Sequence, residues 1–246
     1  MPRNKSKTAS PSTPPAPTRT AKPTQALTGD EVYAKLQQAV FEHRLMPGTK
    51  LIEERMAEEA GLSRTVIRPI LARLAHEKLV TLIPNRGAFI ASPTEEEARE
   101  VFAVRRLIEP AVVHILSANP TQARINKLRE LVKQEEAARA VGDRHSIIRL
   151  SGEFHLLMAE LTGNQTVLRI LREMCAQTCL VIALYDTPNT SACPHHEHHD
   201  IVDLIEQGDG EEAANAMLEH LNHIERALDF GGKTEKAIDW RAIFTR

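Results

Sequence analysis

Residues 51–74 read LIEERMAEEAGLSRTVIRPILARL, and the middle of this stretch decides the fold. Glu53 to Ala60 has the pattern of a short helix closed by Gly61. Ser63 then stands where an N-cap belongs, ahead of a helix that carries Val66, Ile67, Ile70, Leu71 and Leu74 inward. Two short helices joined by Gly-Leu-Ser form a helix-turn-helix. Arg64, Thr65 and Arg68 fall within the first two turns of the second helix. Their spacing keeps one face polar and cationic, as required of a helix that presents side chains to base edges in the major groove.

Working outward, Val32, Leu36, Val40 and Phe41 recur at helical spacing from Asp30 until Met46-Pro47-Gly48 breaks the pattern. Downstream, Leu79–Ile83 and Ala88–Ile90 read as two strands around Pro84-Asn85-Arg86-Gly87, where Asn and Gly supply the backbone angles of a tight hairpin. This hairpin, bearing Arg86, is the expected wing. Residues 1–26 contain Pro2, Pro11, Pro14, Pro15, Pro17 and Pro23 among Ser, Thr, Ala and Lys, and almost no large apolar side chain. A disordered basic arm is expected there. After Ser92-Pro93, Thr94 and Glu97 form a capping box, and helical periodicity continues over about 95–117, 121–141, 145–162, 165–184, 195–207 and 211–229. The expected architecture is therefore mainly α. A winged helix-turn-helix DNA-binding domain over 27–93 precedes an all-α helical bundle over 94–229 that can hold a cavity, and a tail follows over 230–246.

Charge supports this division. The 246-residue chain has a net charge of −2, but residues 1–93 carry +6 and residues 94–246 carry −8. A basic part that meets a polyanion, joined to an acidic remainder with another task, is the simplest reading. Aromatic residues make up only 4% of the chain, which argues against a stacking platform for single-stranded nucleic acid. No apolar run is long enough to span a bilayer and the first thirty residues lack the block of a signal peptide, so a cytoplasmic protein is expected. Cys175, Cys179 and Cys193 include no Cys-x-x-Cys pair and read as small buried groups.

Nine of the eleven histidines follow residue 93. His155 sits at the edge of the stripe Leu150, Phe154 and Met158. His198 shares a face with Ile201, Val202 and Ile205, and His220 one with Met217 and Ile224. Three helices thus each place one imidazole inward, whereas His195, His196 and His199 read as ordinary histidines, either satisfied by a backbone carbonyl or solvated. Convergence on a divalent metal is one reading, and core histidines satisfied by backbone carbonyls are the other. No carboxylate is expected on the inward face beside them, since Glu153 is turned about 200° from His155.

The stretch over 28–92 resembles the winged helix of the GntR family of bacterial transcription regulators. That resemblance implies Ser63, Arg64, Thr65 and Arg68 as recognition-helix contacts, a phosphate grip by Arg55, and approach of Arg86 and Gly87 to the minor groove. Val66 and Pro69 depart from the family's usual residues, and Pro69 is expected to bend the helix. Residues 94–229 look like the FCD ligand-binding domain of the FadR-like branch, through Val104–Glu109, Glu153-Phe154-His155, Gly163-Asn164, Glu197-His198 and His220-Leu221. This implies a divalent metal on His155, His198 and His220, with zinc favoured and nickel or manganese as alternatives. It also implies a carboxylate effector on Arg105, with Ser151 and Asn164 nearby. Ser151 occupies the family's aspartate position, so one anionic ligand is lost and an organic acid could replace it. The implied function is a metabolite-responsive regulator, not an enzyme, acting as a homodimer on a palindromic double-stranded operator. The alternatives are a metal-dependent hydrolase built on the three histidines, or a direct metal sensor, which Ser151 disfavours.

Overall fold

The computed structural model describes residues 27–186 and 196–231. The predicted arm, Cys193, His195 and all but the first two residues of the predicted tail lie outside the described residues. Helix α1 (Gly29–Phe41) starts at a capping box in which Thr28 and Glu31 exchange hydrogen bonds. Strand β1 (Lys50–Leu51), α2 (Glu53–Ala60) and α3 (Arg64–His76) follow, with Gly61 closing α2 at φ 69°. Ser63 flanks α3 without bonding its amides, its hydroxyl being shared with Thr65 instead at 2.6 Å. α3 runs continuously through Pro69, because the missing N–H forfeits only the bond to the Thr65 carbonyl.

β2 (Val80–Ile83) and β3 (Gly87–Ile90) make the hairpin, with Asn85 and Gly87 at φ 60° and 99°. The sheet has three strands rather than two. β1 pairs antiparallel with β3, giving the order β1-β3-β2. Two residues are too short for alternation to be legible, so β1 exists through its partner alone.

The bundle comprises α4 (Glu95–Ser117), α5 (Gln122–Ala140), α6 (Arg144–Leu161), α7 (Gln165–Tyr185), α8 (Glu197–Gln207) and α9 (Gly210–Arg226). Thr94 and Glu97 cap α4 as expected. Among the described residues, no helix is long and apolar enough to cross a membrane. Its main core gathers Val113, Leu116, Leu128, Phe154, Met158, Leu171, Ile201 and Met217. The winged helix does not close its own core. Val40, Ile67 and Leu79 share a cluster with Cys175, Ala176, Cys179 and Leu180 of α7. The contact is close because Gly152 on α6 has no side chain: a Cβ there would lie 3.3 Å from the Phe41 ring. His43 Nε2 is 2.8 Å from the Cys179 carbonyl, and His145 Nδ1 meets the Glu42 carbonyl.

Candidate functional site

Five helices build the site, and each imidazole arrives for a local reason. On α6, Leu150, Phe154 and Met158 face the core and carry His155 in with them. On α8, His198 shares the inward stripe with Ile201, Val202 and Ile205; on α9, His220 lies with Met217, Leu221 and Ile224. All three rings are buried. His220 Nε2 is 3.2 Å from His198 Nε2 and 3.3 Å from His155 Nε2, and ligand atoms of all three lie within 4.8 Å of one another.

Behind each imidazole stands a carboxylate, contrary to the expectation from sequence. His155 Nδ1 meets Glu109 at 2.5 Å, His198 Nδ1 meets Glu135 at 2.7 Å, and His220 Nδ1 meets Glu197 at 2.6 Å. The expectation failed because it considered each histidine's own helix. Glu109 and Glu135 come from α4 and α5, and Glu197 reaches across from α8 to α9. A carboxylate can only accept, so each Nδ1 carries the proton and each neutral ring turns the lone pair of Nε2 toward the others. Three such lone pairs have no hydrogen to share among themselves, whereas a cation satisfies all of them. The separations of His220 Nε2 from the other two Nε2 atoms also match the ~3.3 Å edge of a tetrahedron with bonds of ~2.0–2.1 Å. The donor set therefore fits a divalent transition ion, and the Glu–His pairs are the supports that orient metal-binding imidazoles. A cleft of about 240 Å³ between α5 and α8, lined by Glu136, Arg139, His196 and His199, reaches His198 and Glu135.

Arg105 is fully enclosed. Its Nε donates to Glu109 at 2.6 Å and its Nη1 to the Thr178 hydroxyl at 3.2 Å, while Nη2 has no partner among the described residues. Glu109 thus joins Arg105 to His155, and Thr178 precedes the residue whose carbonyl meets His43. Ser151 is partly buried one turn before His155. Glu153 turns outward onto Arg149 at 2.9 Å. Asn164 is exposed, and its side chain accepts from the Thr166 and Val167 amides as the cap of α7, so no described contact links it to the histidines.

Burial drives His155 down to about 4, with Glu109 opposing, and His220 down to about 3, with Glu197 opposing. Burial alone would raise Glu109 and Glu135. Arg105 and His155 together outweigh it and hold Glu109 well below the carboxylate range, and His198 with Arg139 together bring Glu135 to about 2. All four groups have folded values below their unfolded ones, so on acidification the unfolded chain takes up protons first. Their stabilisation is complete above the ordinary histidine value of 6.5 and declines as pH falls toward the folded values. The urea midpoint of metal-free protein is therefore expected to fall steadily from pH 7 to pH 4, and a flat or rising midpoint would contradict these burials.

On the winged helix, Ser63, Arg64, Thr65 and Arg68 are exposed along one face. Arg68 Nε and Arg64 Nη2 both rest on Glu53, at 2.9 and 3.3 Å, with their side chains 62% and 56% exposed. Exposed pairs of this kind are worth little and release readily to a phosphate or a base. Arg55 is exposed on α2. On the wing, Arg86 and Lys50 lie 5.7 and 5.8 Å from the Phe89 ring, and Gly87 is exposed at the start of β3.

Comparison with known proteins gives two family matches, to bacterial regulatory proteins of the gntR family over residues 28–90 and to the FCD domain over residues 100–223. The chain is 23% identical over 207 residues to the HTH-type transcriptional repressor RspR of Escherichia coli K12, covering 84% of this chain and 90% of that one. It is 29% identical over 196 residues to an HTH-type transcriptional regulator from an unstable DNA locus of Streptomyces ambofaciens, covering 79% and 82%. A GntR regulator crystal structure from Rhodococcus sp. RHA1 has the same fold, with TM-score 0.72, 24% identity, and coverage of 80% of this chain and 95% of that one.

Proposed function

The chain belongs to the gntR family of bacterial regulatory proteins and carries its FCD domain, and from that premise we propose a transcription regulator whose grip on DNA is set by an organic acid and a metal ion. Residues 27–93 form the DNA-binding unit and residues 94–229 the effector unit. The ion, zinc foremost, is held by His155, His198 and His220. When bound it supplies Lewis acidity and an open coordination position. Arg105, with Nη2 unpaired in a buried setting, is suited to a carboxylate, and Ser151 leaves the ion without the anionic ligand such an acid would bring. The observation that carries this reading is the convergence of three Nε2 atoms, each backed by a carboxylate, beside that guanidinium.

The hydrolase alternative loses ground here. Among the described residues, each carboxylate beside the three rings is engaged by an imidazole Nδ1, so none of them stands as a general base, and the relatives are regulators. A homodimer on a palindromic operator completes the proposal, since two recognition helices related by a two-fold axis read two half-sites.

The test is operator binding by the full chain, using fragments recovered by mapping bound genomic DNA, with and without zinc and candidate acids. Arg68→Ala is expected to weaken specific binding by about 1–3 kcal/mol if Arg68 reads a base. Unchanged affinity of the Arg64→Ala, Arg68→Ala double variant at fixed salt would overturn the groove assignment.

A further inference from the structure

Helices α1 and α2 face each other across a pocket of about 280 Å³ that belongs to the DNA-binding unit, with no residue of the bundle in its lining. Its walls are apolar: Val32, Leu36 and Ala39 of α1, Leu45, Leu51 of β1 and Met56 of α2. A concave apolar site with a few polar groups is the usual form of a small-molecule site.

Two shortages meet there and indicate the ligand. The Thr49 hydroxyl lines the pocket, is buried, and has no hydrogen-bond partner among the described residues. It therefore carries its desolvation cost uncompensated. Lys35, Lys50 and Arg55 also line the pocket and are exposed, and none of them is ion-paired among the described residues. The fourth cation, Arg44, is held by Glu42 at 2.6 Å, and Glu59 is the one acid in the lining. A carboxylate answers both shortages, because it only accepts hydrogen bonds and its charge pairs with the cations. The apolar walls call for an apolar body behind that head. Residues 1–26, which lead into Leu27 at the pocket, are not suited to fill it. They carry Arg3, Lys5, Lys7, Arg19 and Lys22 and almost no large apolar side chain, so like charge sets them against this rim.

We infer that this pocket binds a small amphiphilic carboxylate, with its head on the Thr49 hydroxyl and the rim cations and its aliphatic chain between α1 and α2. This is a second acid site, apart from the one proposed at Arg105. Its bearing on DNA follows from Arg55. The proposed phosphate grip and the pocket draw on the same guanidinium, so acid and DNA compete for it. That competition rests on the DNA-binding reading above, whereas the site itself does not.

Isothermal titration calorimetry of decanoate into the full chain, below its micellar concentration, tests the site. Saturable binding is expected, tightening about threefold for each methylene added from hexanoate to decanoate. Acetate keeps only the head and decanol only the chain, and each is expected to bind about 10-fold more weakly or worse. Thr49→Val removes the hydroxyl at nearly constant shape. No partner is stranded, so its urea midpoint is expected at or above that of wild type, yet its decanoate affinity falls on the order of 10-fold. Met56→Trp fills the pocket and is expected to abolish uptake, with far-UV circular dichroism reporting the fold. Absence of decanoate binding, decanol binding as tightly as decanoate, or full affinity in Thr49→Val would overturn the assignment. Fluorescence anisotropy on an operator fragment tests the competition. Saturating decanoate is expected to weaken operator binding by wild type about 10-fold and to leave Met56→Trp unaffected. Decanoate held in the pocket with operator affinity unchanged would overturn the competition while the site stands. A wild-type chain that binds no operator fragment would overturn the DNA-binding reading itself.

Discussion

Glu109→Ala is expected to destabilise the protein by about 3–5 kcal/mol, a large share of the roughly 5–15 kcal/mol available to a folded domain. Glu109 is fully buried and accepts from Arg105 at 2.6 Å and from His155 at 2.5 Å. Its loss leaves a guanidinium held only by the Thr178 hydroxyl, in surroundings that cannot solvate it. The cost lies in the stranded charge rather than in lost attraction, and this can be separated experimentally. Replacing both partners with apolar residues of similar size, Arg105→Met with Glu109→Leu, is expected to recover most of the stability. Urea unfolding at pH 7 measures both variants. A single variant within 1 kcal/mol of wild type would show that Arg105 finds another partner.

His220→Ala is expected to abolish metal uptake, lowering affinity by well over the ~100-fold seen when only a supporting residue is lost. Its Nε2 lies close to those of both other histidines, so its removal leaves two donors on α6 and α8 with nothing to complete the set. Competition for zinc against a chromophoric chelator reads the affinity, and circular dichroism reports the fold. An organic acid that tightens zinc binding to the wild type is expected to lose that effect in the variant, because coupling between two ligands is reciprocal and vanishes with either site. Stoichiometric zinc in His220→Ala, or wild-type protein that takes up no zinc, nickel or manganese, would remove the metal from the proposed function.

Most of the fold was legible because apolar side chains recur at the helical period and polar caps mark the ends. Thr94 with Glu97 opens α4 where expected, and the inward faces of α8 and α9 hold the predicted residues. The three histidines were legible for the same reason. Their carboxylates were not, because a pattern reading sends Glu to solvent. On α5 the stripe Ile125, Leu128 and Val132 continues to Glu135 at the same spacing, and an acid on an apolar stripe was the available signal. Glu109 lay four residues after Arg105 on the stripe of Val112 and Leu116. α7 was recognised as a helix but not as one covered on two sides. Its four consecutive buried residues Thr178, Cys179, Leu180 and Val181 carry that message, since a one-sided helix cannot bury four in a row.

The shared use of α7 has an evolutionary consequence. Winged helices are commonly treated as cassettes that can be joined to any sensor, but this one depends on Cys175, Ala176, Cys179 and Leu180 to close its core and on Gly152 to admit Phe41. Transplanted onto another bundle, it would bring a bare apolar face with it. Exchange between regulators of this build is therefore constrained to pairs that already agree along α6 and α7. Substitutions in α1 and in the middle of α7 should be inherited together, as matched halves of one surface, even though more than a hundred residues separate them in the chain.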